Sequence, residues 1–198
     1  MTHPAPPASL RERKKIRTRQ ALAEAAVALF GERGFDATPL DELLAAVEVS
    51  RRTFFRYYRS KEDVALTAVK ELWSVFLEVL DEEQRSGPLR DVFRDVLLAA
   101  LARMDEDWHR RFATTIRLAA ESPALEGHSL LHCAEMQAEI RRRLDLQDGL
   151  EPRLLVEFCV VAWRSAVDEW LPTCAPGELP GHVRRAFAAM DSGLHLEA

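Results

Sequence analysis

Long apolar runs are missing from this 198-residue chain: the longest, Val96 to Ala102, has seven residues. A helix that crosses a bilayer needs about 20, so no membrane span is expected. Met1 to Ser9 lacks the basic and then apolar pattern of a secretory signal. Cysteine is scarce. Cys133, Cys159 and Cys174 form an odd, widely spaced set, which argues against a disulfide framework and reads as reduced thiols in a cytoplasmic protein. A Gly-rich phosphate loop, a nucleophile elbow and a His-Glu-x-x-His zinc motif are also absent. Nothing in the pattern joins a general acid to a base, so no enzyme and no cofactor are expected. His128 and His132 share a helical face, with Cys133 turned away from them. Two ligands make a poor metal site, because zinc takes three or four, and no metal is expected either.

What is present is helical punctuation. With 47% apolar and 30% charged residues, the composition suits one globular unit, or two small ones with a continuous core. Almost all of the ten prolines and eight glycines fall between segments of 3.6-residue apolar period, and no alternating run suggests a strand. The expected fold is all-α with about nine helices. A Pro-rich tail over residues 1–8 is expected to be disordered. Ser9 to Glu12 has the spacing of a capping box. A first helix then runs to about Arg33, with Ile16, Ala23, Val27 and Phe30 on one face and Gly31 and Gly34 as its stop. Thr38 is placed to cap a second helix ending near Val47, with Pro39 at its first position and Asp41 and Glu42 in its first turn. Ser50 caps a third helix, Arg51 to Tyr58. Ser60 opens a fourth that reaches about Gln84. Five more are expected at about 89–105, 107–121, 125–145, 152–171 and 178–194.

Charge is divided unevenly. Residues 1–61 carry 12 Lys/Arg against 7 Asp/Glu, and the remainder carries 15 against 25. A basic head on an acidic body suggests a polyanion-binding end. Residues 9–60 have the spacing of a helix-turn-helix, leaving 61–198 as the body. At about 100° per residue, Phe54, Phe55 and Tyr58 share one side of the third helix, able to dock on the first two. Arg52, Thr53, Arg56 and Tyr57 occupy the other. An Arg fork bonds guanine O6 and N7 together, and Thr offers a hydroxyl or a methyl to a base edge. Ser50 with the helix N-terminus, and Lys61, are placed to hold phosphates. A solvated helix face would alternate its charges, whereas Arg51 to Tyr58 holds no acid.

These residues carry a resemblance. Leu29 to Phe35, Thr38, Ala45-Ala46-Val47, Val49 to Tyr58 and Ser60 to Asp63 together resemble the tetracycline-repressor-type (TetR) family of bacterial transcription regulators. The resemblance implies a homodimer whose two heads read the half-sites of a palindromic operator in double-stranded DNA. It also implies a body that binds a small, largely apolar effector. By position, Thr38, Tyr57 and Lys61 resemble the family's phosphate contacts, and Arg51, Arg52 and Thr53 its base or phosphate readers. Glu48 stands where the family has glycine in the turn, so that turn is either strained or differently shaped. Ala162 to Leu171 is similar to a helix of regulators with an acyl-coenzyme-A-like ligand domain.

In the body, Trp73, Phe76, Phe93, Trp108, Phe112, Met136 and Phe158 are candidates to line an effector pocket, with Arg117 and His132 as polar contacts. Ordinary core packing is the alternative for each. A buried Arg117 would require an anionic partner. Dimerisation is expected on the last two helices. Leu155, Ala162, Trp163, Ala166 and Trp170 lie on one, and Val183, Phe187, Met190 and Leu194 on the other. These faces packing within one chain is the alternative. The reading is a ligand-responsive repressor. An effector-independent DNA-binding regulator, or an all-α enzyme or carrier using the body cavity, remain open beside it.

Overall fold

The computed structural model describes residues 10–82, 86–175 and 177–193, without the side chains of residues 10–12 and 191. The expected tail, the Ser9 capping box, Gln84 and Leu194 lie outside those residues. The described residues form ten helices and no strand. They are α1 (Leu10–Arg33), α2 (Leu40–Ala46), α3 (Arg51–Phe54), α4 (Lys61–Ala65), α5 (Thr67–Glu82), α6 (Leu89–Leu101), α7 (Glu106–Glu121), α8 (Pro123–Arg143), α9 (Leu150–Trp170) and α10 (Leu179–Gly193). The tenth arises because the expected fourth helix is broken at Leu66. There the Thr67 hydroxyl donates to Val64 O at 2.7 Å, a local bond that competes with the helix ladder.

α1 buries Leu22, Ala23, Ala26 and Phe30, while Ile16 remains exposed. Gly34 ends the helix at φ +84 with its amide bonded to Phe30 O, a left-handed stop that suits glycine. Gly31 does not act as a stop. It lies inside α1, where an added Cβ would meet Thr114 Cγ2 of α7 at 3.1 Å, so its role is close helix approach. Phe35 then folds back edge-on against Phe30. Thr38 does not cap α2. Pro39 holds the N-cap position, and the buried Thr38 hydroxyl donates to Gly34 O at 2.9 Å. α2 closes through Val47, with Glu48 N bonded to Ala45 O and Val49 N to Leu44 O. That pair of bonds is a Schellman stop, and Glu48 occupies its left-handed position at φ 54.

Ser50 caps α3 by accepting from Thr53 N, and Ser60 caps α4 by accepting from Asp63 N. Only Arg51–Phe54 of the third expected helix is α-helical. Arg56 N and Tyr57 N reach back three residues, to Thr53 O and Phe54 O. The tighter turn rotates later side chains away from the 100° wheel. Phe54 and Tyr58 are buried as expected, but Phe55 is 54% exposed.

One core joins the first helices to the body. Trp73, Phe76, Phe93 and Phe187 make an aromatic cluster, and Trp108, Phe112, Trp163 and Trp170 a second. α7 is fixed to the start of α5 by Trp108 Nε1 donating to Ala68 O at 2.8 Å, and to the end of α4 by Thr115 donating to Ala65 O. Asp105 and Ser122 cap α7 and α8. No helix among the described residues is long and apolar enough to cross a membrane.

Candidate nucleic-acid interface and body cleft

The segment Ser50 to Tyr58 leaves its cations outside. Arg51, Arg52 and Arg56 are exposed, while Phe54 and Tyr58 sit in the core. Arg52 has no ion pair or side-chain hydrogen bond among the described residues, so its fork is available. Arg56 lies 4.9 Å from the Tyr57 ring centroid and donates to the Tyr57 hydroxyl at 3.0 Å, presenting the two side chains as one unit. Arg51 is held differently. It grips Asp41 at the start of α2 with both arms of its guanidinium, at 2.9 and 2.6 Å. The hydrogen bond from Arg51 holds the Asp41 carboxyl below its ordinary range, and Asp41 in turn raises the Arg51 value. Thr53 and Ser50 share a hydroxyl contact at 3.0 Å.

Two of the expected phosphate contacts face inward. The Thr38 hydroxyl is buried and already bonded. The Lys61 ammonium donates to Phe35 O and lies 4.0 Å from the Phe35 ring centroid. Its partial burial lowers its pKa. Phe55 and Arg59, both exposed beside the reading segment, were not among the expected site residues. Arg59 could have been found from the charge run. Phe55 could not, because helical spacing places it beside the buried Phe54 and Tyr58, and only packing leaves it outside.

In the body, α5, α7, α8 and α9 enclose a cleft of about 240 Å³. Trp73, Phe112 and Trp163 supply its aromatic wall, while Glu126, Arg164 and Asp168 supply charge. Of the expected effector contacts, Trp73 and Phe112 line it. Phe76 and Phe93 pack in the neighbouring aromatic cluster, and Trp108 stacks behind Phe112 at 4.7 Å. Arg117 is exposed, not buried against an acid, and donates to Cys174 Sγ at 3.0 Å. His132 is mostly covered and has Lys70 and Asp63 among its charged neighbours. Met136 is half-buried against the core, and Phe158 is 42% exposed on α9. Arg164, Asp168 and Cys133 were missed. Helical spacing puts Glu126, Ser129 and Cys133 on one side of α8, but only packing brings that side to α9. Burial pushes the Cys133 thiol pKa up, which keeps it protonated and unreactive.

The expected dimer residues are turned inward. Ala162, Trp163, Ala166, Trp170, Val183 and Phe187 are buried within the single chain. Leu155 and Met190 are half-covered. Trp170 Nε1 donates to Ala175 O, and Phe187 stacks on Phe93. The hydrophobic drive that makes these side chains bury has already been met by α9 packing on α10. The outward side of α9 carries a second stripe, Leu150, Leu154, Phe158 and Val161, all exposed. Among the described residues, no group of three or more His, Cys, Asp or Glu is placed to hold a metal.

Comparison with known proteins fits this geometry. The family described as "Bacterial regulatory proteins, tetR family" matches residues 22–68, and the "MftR C-terminal domain" matches residues 87–195. The HTH-type transcriptional regulator TcmR of Streptomyces glaucescens is 33% identical over 175 residues, covering 81% of this chain and 76% of TcmR. The chain belongs to the TetR family of bacterial transcriptional regulators. It is therefore a DNA-binding regulator and not an enzyme. The HTH-type transcriptional repressor DhaR of Mycobacterium sp. (strain GP1) is 25% identical over 183 residues, covering 75% of this regulator and 80% of DhaR. Among solved structures, the SmeT–triclosan complex shares the fold at a TM-score of 0.57 and 19% identity. It covers 87% of this regulator and 91% of that chain.

Proposed function

We propose that this regulator is a homodimeric repressor that binds a palindromic operator and is released from it by a small, largely apolar effector. The observation that carries the reading is the continuity between cleft and head. Val69, Leu72 and Trp73 of α5 line the cleft. α5 follows α4 after the single residue Leu66, and α4 begins three residues beyond Tyr58. An effector wedged against Trp73 moves the rod that positions the reading segment. The effector acts only through its differential affinity for the bound and released arrangements. Two reading segments must meet half-sites about 34–36 Å apart, or a multiple of that. The outward stripe on α9 supplies the surface on which two copies pair. Repression is the activity named for DhaR, and SmeT with triclosan illustrates a ligand held by this fold. A regulator of this kind works in the cytoplasm, where the duplex lies.

The cleft bounds the effector. About 240 Å³ is below the ~300–1,000 Å³ of drug-sized sites, so an acyl-coenzyme-A-like ligand enters by its acyl end alone. The same volume favours a second reading, an effector-independent regulator whose cleft is closed by its own side chains. Mass spectrometry of the purified regulator under native conditions separates them. A bound small molecule whose removal tightens operator binding supports the first reading, and operator binding that small apolar metabolites leave unchanged supports the second. For DNA reading, Arg52→Ala is expected to lower operator affinity and relax preference at one base pair, at a cost of about 1–3 kcal/mol. Equal loss on random duplex would reduce Arg52 to a phosphate contact.

A further inference from the structure

Asp63 joins two parts of the molecule through one carboxylate. Its Oδ2 accepts from the amide of Arg59 at 2.6 Å, the residue that follows Tyr58 at the close of the reading segment. Its other oxygen, Oδ1, pairs with the Lys70 ammonium of α5. Both side chains of that pair are mostly covered, so water screens it less than it screens Arg51 on Asp41. Burial raises the Asp63 pKa, but the bonds from Lys70 and the Arg59 amide outweigh it and hold the carboxyl below its ordinary range. Lys70 lies next to Val69, which lines the cleft. The carboxylate therefore ties the end of the reading segment to the helix that forms the cleft wall.

α8 packs against α4 and α5 across this joint, and brings two histidines to it, His128 and His132, one turn apart. The charge of His128 acts on Glu62 and Asp63 of α4. His132 faces Asp63 of α4, Lys70 of α5, and His128 and Glu135 of its own helix. Its side chain is only 11% exposed, and its Nε2 is buried without a hydrogen-bond partner among the described residues. A neutral imidazole fits such a site at the cost of one unmade bond. An imidazolium does not, because both its nitrogens are donors and its charge lies near the Lys70 ammonium.

We infer that Asp63 is a positioning residue for the reading segment, and that His132 puts its hold under the control of protons. The inference rests on the DNA-reading assignment above and adds a form of regulation to it. While His132 is neutral, Lys70 stays on Asp63 and Asp63 stays on the Arg59 amide. One proton taken from solvent by the imidazole sets a cation beside Lys70 and draws the Asp63 carboxylate towards itself. The joint opens, water reaches His132, and the Arg59 amide loses its acceptor. Burial and then Lys70 depress the His132 pKa in the closed joint, whereas hydration in the open one returns it to about 6.5. The closed joint is therefore fully favoured above that pH. It loses ground as pH falls below it, and the loss levels off below the closed-joint value.

The test compares the wild type with His132→Leu, His132→Gln and Asp63→Ala in the full chain. Fluorescence anisotropy from pH 7.5 to pH 5.5, at constant ionic strength, measures affinity for random-sequence duplex and for the site selected by the wild type from a random pool. Circular dichroism at each pH separates opening of the joint from unfolding. The ratio of selected to random affinity cancels the general gain of positive charge in acid. For the wild type this ratio is expected to fall about threefold to tenfold, tenfold being the limit for each unit by which the two arrangements differ in pKa. Neither non-titrating variant at 132 should show that fall. Asp63→Ala should begin from a lowered ratio at pH 7.5 and change little on acidification. A wild-type ratio indifferent to pH, or one that falls equally in both His132 variants, overturns the inference while leaving base reading by α3 intact. An Asp63→Ala ratio equal to that of the wild type at pH 7.5 overturns the positioning role. Absence of duplex binding by the wild type at pH 7.5 would sink both this inference and the assignment beneath it.

Discussion

Arg51 is clamped to Asp41, with Nε 2.9 Å from Oδ1 and Nη2 2.6 Å from Oδ2. The pair joins the first turn of α2 to the first turn of α3 across the helix-turn-helix. It therefore sets the direction of a guanidinium that the sequence marks for DNA. Both partners are well exposed, so water and salt screen the pair. Its effect is on orientation more than on stability.

Replacing Asp41 by Asn removes the clamp and one negative charge beside the reading segment. Affinity for random duplex is expected to rise about threefold to tenfold, and the salt slope to steepen by up to about one. Fluorescence anisotropy over a salt series measures both. An affinity that falls on the selected site alone would mean that Asp41 orients Arg51 productively.

Glu48 combines two costs that separate variants can tell apart. Its φ of 54 is a conformation that costs a non-glycine residue about 1–2 kcal/mol, partly offset by the extra chain entropy lost by glycine. Glu48→Gly is expected to stabilise the fold by about 0.5–1 kcal/mol and to tighten DNA binding. Glu48→Gln should tighten binding without the gain in stability. Urea unfolding beside anisotropy distinguishes the backbone effect from the charge effect.

The outer stripe of α9 should govern assembly. Val161 is 55% exposed and Phe158 42%, so Val161→Glu disturbs no buried packing in the single chain. Sedimentation is expected to show monomers of unchanged thermal stability and helix content, with affinity for a palindromic site falling towards that for a single half-site. A dimer that survives both this change and Phe158→Glu would place the interface elsewhere.

His132 confers an acid-sensitive weakness. Its Nε2 is buried without a hydrogen-bond partner among the described residues, and Nδ1 is 3.9 Å from Glu135 Oε2. Burial lowers its pKa first, and the Lys70 and His128 charges add to that against Glu135 and Asp63. A histidine depressed in the folded state takes up its proton first in the unfolded chain. Stability therefore falls as pH drops below about 6.5 and levels off below the folded value. Urea midpoints at pH 7.5 and pH 5.5 are expected to differ less in His132→Leu than in the wild type. Some acid sensitivity should remain, because burial also lowers the pKa of His109. Equal sensitivity in both proteins would remove His132 from the account.

The helices and their caps at Ser50 and Ser60 could be read from one strand of text, because a capping side chain acts on an amide two or three residues away. The same locality made the exposed cations of Arg51 to Arg56 legible. Periodicity failed at Phe55, which keeps the α pattern through its bond to Arg51 O and shares a helical side with Phe54 and Tyr58, yet packing leaves it on the surface. It also failed to choose between two partners for one apolar face. Trp163, Trp170 and Phe187 suit a partner chain or the chain's own core equally well by spacing. Arg117 sits in a mostly apolar stretch, where surface exposure is the commoner outcome for an arginine, and its side chain is exposed.

Short-range chemistry thus fixed the all-helical character, the basic head and the family, since each depends on residues within a few positions of one another. Tertiary structure alone decided that α9 turns its tryptophans inward and leaves Phe158 and Val161 outside. It also decided that Arg164 and Asp168 meet Trp73 in one cleft. Those choices depend on which helix reaches which apolar face, and burial free energy is non-directional, so spacing along the chain cannot name the partner.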